Sequence, residues 1–130
     1  MNQLVLLIED NEQNRYLATF LLEQRGYRVA PAYTGPEGIA LARTLEPCLI
    51  LLDVQLPLMD GYAVARALRE IDSLGTVPIV AVTSYAMVGD REKALAAGCT
   101  GYIEKPIDPE TFISTIEQLA ALPNTLPGDP

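Results

Sequence analysis

The stretch Leu49-Ile50-Leu51-Leu52-Asp53 constrains this chain more than any other. Four large aliphatic side chains end in a carboxylate, and the Pro and Gly of Val54-Gln55-Leu56-Pro57-Leu58-Met59-Asp60-Gly61 cannot continue a strand. A short unbroken apolar run bounded by turn signals predicts a strand buried on both faces, as inside a parallel sheet. Ligands and chemistry gather outside the carboxyl ends of such strands. Asp53 is therefore expected at that edge, reaching solvent without being buried, as the reactive residue that the rest of the chain positions.

The same device recurs along the chain. Val5 to Ile8 runs into Glu9-Asp10, Pro78 to Val82 into Thr83-Ser84, and Gly101-Tyr102-Ile103 into Glu104-Lys105-Pro106. Arg28 to Ala32 is a weaker strand carrying Pro31, which suits a sheet edge because proline cannot donate to a ladder. Helical spacing fills the gaps. Asn11 is an N-cap for a helix from Glu12 to Arg25 that stops at Gly26, with Leu17, Phe20, Leu21 and Gln24 buried and Asn14 and Arg15 exposed. Gly35-Pro36-Glu37 opens a second helix, which carries Ile39, Ala40 and Ala42 and ends before Pro47. The third starts near Gly61 with Val64, Leu68 and Ile71 as its stripe, and the fourth runs from Asp90 to Ala97. Asp108-Pro109 caps the last, whose stripe is Phe112, Ile113, Ile116 and Leu119. Strands and helices thus alternate five times with crossovers too long for hairpins. That predicts a doubly wound α/β fold, an open parallel sheet with helices on both faces and right-handed connections. Residues 1–122 are expected to form one domain and 123–130, with three Pro and a Gly, a flexible tail.

Composition excludes whole classes of function. With no histidine, the chain has no His-based acid–base catalysis, no Ser-His-Asp triad and no His-ligated metal. A net charge of −8 argues against nucleic acid as a direct ligand, since phosphate contacts need clustered Lys and Arg. No apolar stretch reaches the roughly 18 residues of a membrane span, and the N-terminus lacks the features of a signal peptide. Cys48 and Cys99 read as inert thiols of an intracellular domain.

The strand ends carry the chemistry. Glu9, Asp10, Asp53, Thr83 and Lys105 are all expected at one edge of the sheet. Carboxylates about 5 Å apart repel by roughly 3 kcal/mol per pair at an effective dielectric near 20. Three of them call for a cation, and all-oxygen ligands favour a hard one. Mg²⁺ suits Glu9, Asp10 and Asp53, with the backbone carbonyl of Gln55 as a further candidate ligand. Lys105 supplies a point charge for phosphate and Thr83 a hydroxyl donor. These parts fit phosphoryl transfer with Asp53 as nucleophile.

The segments Ile8-Glu9-Asp10-Asn11, Leu52 to Gly61, Val82-Thr83-Ser84 and Tyr102-Ile103-Glu104-Lys105-Pro106 resemble a response-regulator receiver domain of the CheY-like superfamily, over residues 3–121. The resemblance implies a flavodoxin-like strand order of 2-1-3-4-5. It implies that Asp53 accepts a phosphoryl group, with Mg²⁺, from a histidine kinase or histidine phosphotransfer protein. Thr83 and Tyr102 become a switch pair, Lys105 contacts the phosphoryl group, and Lys105–Pro106 is a cis peptide. The message would leave through a protein target at the face made by the fourth helix, fifth strand and fifth helix. Such a domain catalyses its own phosphorylation and slow autodephosphorylation, and is expected to be cytoplasmic, a monomer or weak dimer, with no nucleic acid and no membrane insertion. Pro57 and Gly61 remain turn chemistry. Asp10-Asn11-Glu12-Gln13-Asn14-Arg15 and Ala86-Met87-Val88-Gly89-Asp90 are similar to receivers of hybrid histidine kinases and to single-domain regulators of the DivK type. A stand-alone receiver is favoured over one cut from a hybrid kinase. Gln55 and Tyr85 occupy positions thought to tune phosphorylation lifetime.

Three rivals stand beside this reading. A Mg²⁺-dependent phosphohydrolase of the haloacid-dehalogenase kind wants a second acid two residues after the nucleophile, where this chain has Gln55. An unphosphorylated interaction module does not need the intact acidic set. A nucleotide or flavin site lacks its Gly-rich phosphate cradle.

Overall fold

The computed structural model describes residues 3–84 and 88–121. Five parallel strands, β1 (Leu4–Ile8), β2 (Arg28–Ala32), β3 (Leu49–Asp53), β4 (Ile79–Thr83) and β5 (Gly101–Glu104), form one sheet in the order β2-β1-β3-β4-β5. Helices α1 (Glu12–Gln24), α2 (Gly35–Leu45), α3 (Gly61–Arg69), α4 (Asp90–Ala96) and α5 (Phe112–Ala121) connect and follow them. The order in which strands are added reverses between β1 and β3, which makes the switch point of a doubly wound sheet, where ligands bind.

Period-two alternation splits the aliphatic runs between two cores. Leu6, Ile8, Ile50, Leu52, Ile79 and Ala81 pack with Val64, Ala65 and Leu68 of α3 and Ala94 of α4. Val5, Leu7, Leu49, Leu51 and Val80 pack with Ala18 and Leu22 of α1 and Phe112, Ile113 and Ile116 of α5. All five residues of β3 are buried, as its unbroken apolar run predicts. β2 lies at the edge, and Pro31 sits in register with Leu7.

Several helix details differ from the sequence reading. The buried face of α1 is Ala18 and Leu22; Phe20 is 47% exposed, Gln24 is exposed, and Leu17 and Leu21 are half-buried. A small residue is what a helix lying close to a sheet places at the contact, so counting large apolar residues put the face one position out. Asn14 and Arg15 are half-buried rather than exposed. Helix α3 ends at Arg69, so Ile71 lies beyond it and leads into a 3₁₀ turn, Asp72–Leu74, that the sequence did not announce and that buries Leu74. Asp108 caps a turn ahead of α5 through its bond from the Glu110 amide (3.0 Å), and the helix proper begins at Phe112.

Caps set the entry of the helices that flank the strand ends. The Asn11 side chain accepts from the Asn14 amide (2.9 Å) at α1, and Asp60 accepts from Tyr62 and Ala63 (2.8 and 3.1 Å) at α3. Gly61 packs so tightly on the end of β3 that a Cβ there would stand 2.9 Å from the Asp53 carbonyl oxygen. Glycine at this point lets the start of α3 approach the strand that carries Asp53. Pro57 and Leu58 project from the intervening loop, where Leu58 holds φ 71° and the Met59 amide closes onto the Pro57 carbonyl (2.8 Å). Tyr85, Ala86 and Met87, and the tail from residue 122, lie outside the described residues. No helix among the described residues is long and apolar enough to cross a membrane.

Candidate functional site

Parallel register brings the polar ends of the strands together. Glu9 and Asp10 follow β1, Asp53 closes β3, Thr83 closes β4, and Lys105 follows β5, its amide donating to the Thr83 carbonyl (2.7 Å). The Lys105 ammonium bridges two buried carboxylates, 3.1 Å from Glu9 Oε1 and 3.2 Å from Asp53 Oδ2. Glu9, Asp10 and Asp53 each offer an oxygen within 4.8 Å of the others. Asp10 is exposed and opens the cluster to solvent. Thr83 is buried, and Lys105–Pro106 is a cis peptide.

Asp53 departs from the expectation of a solvent-reaching carboxylate: it is only 3% exposed. Burial is tolerable because both oxygens are met, Oδ1 by the Gln55 amide (2.8 Å) and Oδ2 by Lys105. A buried charge persists only when it is paired and hydrogen-bonded. Gln55 in turn accepts from the Ser84 amide (3.0 Å) through its side chain, tying the loop after β3 to the end of β4.

Glu9 feels the crowding most. Burial, then its hydrogen bond with Asp53 and that residue's charge, push its carboxyl up from 4.5 to about 7, against the opposing pull of the Asn11 amide and Lys105. Two acids that close cannot both ionise without a compensating charge, and one lysine is not enough. The donor set therefore fits a hard divalent cation: all oxygen, three carboxylates, open on the Asp10 side.

Tyr102 is half-buried and packs on the α3–α4 core. Its hydroxyl is buried with no hydrogen-bond partner among the described residues. A groove of about 390 Å³ lined by Tyr27, Cys48, Pro78 and Ile116 lies at the opposite end of the sheet. It has no acidic cluster, so cavity size does not mark the chemistry here.

The response regulator receiver domain profile matches residues 5–117. The chain belongs to the receiver family. The polar-differentiation response regulator DivK of Brucella anthropi is 43% identical to this receiver over 117 residues, 90% of this chain and 95% of DivK. The chemotaxis response regulator CheY4 of Vibrio cholerae superposes with a TM-score of 0.87 at 28% identity, over 92% of this chain and 99% of that one. The receiver domain of the sensor histidine kinase PA1611 of Pseudomonas aeruginosa PAO1 gives 0.84 at 33% identity, over 93% and 99%. That structure has a magnesium ion coordinated in its active site cleft. Receiver domains serve two-component signalling, meeting histidine kinases and downstream targets.

Two basic side chains with structural work escaped the sequence reading. Arg15 turns back onto the β1–α1 turn, and Arg69 is drawn inward from the end of α3. Arg15 is expected from sequence on an exposed helix face and Arg69 carries no expectation, and no local pattern separates such a residue from one that finds carbonyls in the folded chain.

Proposed function

We propose that this receiver is a phosphorylation switch with Asp53 as phosphoacceptor. The observation that carries the reading is the Lys105 ammonium lodged between Glu9 and Asp53, beside a third carboxylate, at the mouth of the sheet. An oxygen of Asp53 bonds to phosphorus as the P–N bond of a donor phosphohistidine breaks, and the leaving imidazole takes the electron pair and a proton. Glu9, Asp10 and Asp53 would hold Mg²⁺, with the Gln55 carbonyl as a further ligand. The cation, when bound, supplies neutralising charge for the phosphoryl oxygens. Lys105 keeps the acids close in the resting state and turns to the phosphoryl group afterwards. The Thr83 hydroxyl follows the same charge, and Tyr102 moves with it to alter the α4–β5–α5 face.

Moving a two-state population from 1:99 to 99:1 takes about 5.5 kcal/mol of differential stabilisation, and charge-assisted bonds from Lys105 and Thr83 are of the right size to supply much of it. The donor is a cytoplasmic histidine kinase or phosphotransfer protein. The 43% identity to DivK favours a regulator of that type, which signals by protein contact or onward phosphotransfer. Intact mass after incubation with acetyl phosphate tests the reading. A gain of about 80 Da (one phosphoryl group) that needs Mg²⁺ and is absent from Asp53→Ala is expected. An Asp53→Ala protein that still gains the group would overturn it.

A further inference from the structure

The turn between β1 and α1 carries two of the three clustered carboxylates, and one side chain holds its backbone from outside the cluster. We propose that Arg15 is a positioning residue for the cation site: clamped on the ring of Tyr33, its guanidinium fixes the Glu9 and Asp10 carbonyls and so the spacing of the carboxylates on those residues. The inference rests on the reading of Glu9, Asp10 and Asp53 as a Mg²⁺ site.

One guanidinium nitrogen of Arg15 donates to both carbonyls, 3.0 Å to Glu9 and 3.3 Å to Asp10. These carbonyls precede the first bond of α1, from the Arg15 amide to the Asn11 carbonyl (2.9 Å). The next amide in line, that of Asn14, is already taken by the Asn11 side chain. The side chain of Arg15 therefore does for this turn what helix amides do further along. Its guanidinium carbon lies over the Tyr33 ring, 4.2 Å from the centroid. Tyr33 is itself anchored, its amide bonded to the Glu37 carboxylate at the start of α2. The Glu9 amide donates to the Ala32 carbonyl (2.9 Å), so the ends of β1 and β2 are already joined. Arg15 adds a second tie, between the acid-bearing turn and the β2–α2 corner.

The sign of the effect separates positioning from simple charge. As a point charge, Arg15 repels a divalent cation, and removing it should tighten Mg²⁺ binding. As a positioning residue, its removal loosens two ligands and weakens binding, as loss of an outer hydrogen-bond partner does at other metal sites.

Calorimetric Mg²⁺ titration of the full chain tests this. Arg15→Met should bind about 10-fold more weakly than wild type, with Arg15→Lys between the two. Tyr33→Ala should lose about 3-fold, on the scale of an exposed cation–π contact, and Tyr33→Phe, which keeps the ring, should match wild type. Circular dichroism in EDTA checks that each variant is folded. Unchanged or tighter Mg²⁺ binding by a folded Arg15→Met protein would overturn the inference while leaving the cation site standing. Wild type that binds no Mg²⁺ would remove the site itself, and the inference with it.

Discussion

Lys105 and Arg69 are both cations drawn out of solvent, and they differ in what meets them. Lys105 lies between two buried carboxylates, Glu9 and Asp53. Among the described residues Arg69 meets only neutral acceptors: the carbonyls of Gly98 (2.8 Å), Leu74 (2.8 Å) and Val77 (2.7 Å), and the Thr100 hydroxyl (3.3 Å). The first cluster is made of groups that titrate, repel one another and can exchange partners. The second is made of backbone carbonyls and one hydroxyl, none of which titrates. Burial lowers the proton affinity of Arg69 and pushes the neighbouring Cys99 thiol up to about 11, so the thiol beside the guanidinium is uncharged near neutral pH. A buried charge is thus not in itself the mark of a site. The mark is a set of ionisable partners that one cation cannot fully satisfy.

The largest effect that could break this contrast is on stability. Arg69→Met should lower the unfolding free energy by about 3 kcal/mol, because the carbonyls of Leu74 in the 3₁₀ turn, Val77 before β4 and Gly98 after α4 lose their donor together. At a temperature where the variant is folded, its phosphoryl uptake from acetyl phosphate should stay within about 3-fold of wild type; urea unfolding and intact mass give the two numbers. A large loss of uptake would erase the distinction between the clusters.

Lys105→Met should behave the other way round. Loss of a positioned charge on transferring phosphoryl oxygens is expected to slow uptake by about 100-fold, or about 2.7 kcal/mol. Its stability in EDTA near pH 6 should change by no more than about 1 kcal/mol, because Glu9 already holds its proton there and one carboxylate rather than two loses its counter-charge.

A smaller effect sharpens the electrostatics. With its carboxyl raised from 4.5 to about 7, Glu9 binds more protons in the folded state than in the unfolded one between those values. Stability without metal should therefore fall as pH rises from 4.5 to about 7, and no further beyond it. Solvent at the open Asp10 side screens the pair, so the loss is expected at about 1–2 kcal/mol rather than the full shift. Glu9→Gln should remove that slope from urea melts run across the same range.

The smallest effect concerns Tyr102. Its hydroxyl has no partner among the described residues, so Tyr102→Phe should leave unphosphorylated stability unchanged or raise it by up to about 1 kcal/mol. A loss of more than that would mean that the hydroxyl already bonds something in the resting state.

The sheet and the acid-bearing strand ends were legible because the signal is local. Each core strand is a short apolar run that stops at a polar residue, and parallel register then collects those stops at one edge. Pro31 marked the edge strand for the same reason. What was not legible depends on approach in three dimensions. Ala18 rather than Phe20 faces the sheet because α1 lies close to it. Asp53 is buried because Gln55, Lys105 and the start of α3 close over it, with Gly61 permitting the last. Arg69 finds its acceptors only when Gly98, at φ 108° and with a would-be Cβ crowding the arginine stem, comes beside it.

The central claim is that the crowded acids at the mouth of the sheet, and Asp53 among them, are where phosphate is held. Borohydride reduction of protein treated with acetyl phosphate and Mg²⁺, followed by peptide fragmentation, tests it most directly, since an acyl phosphate is reduced where it stands. Reduction at Asp53 alone is expected, and none when Mg²⁺ is withheld. Reduction at Glu9 or Asp10 with Asp53 intact would contradict it.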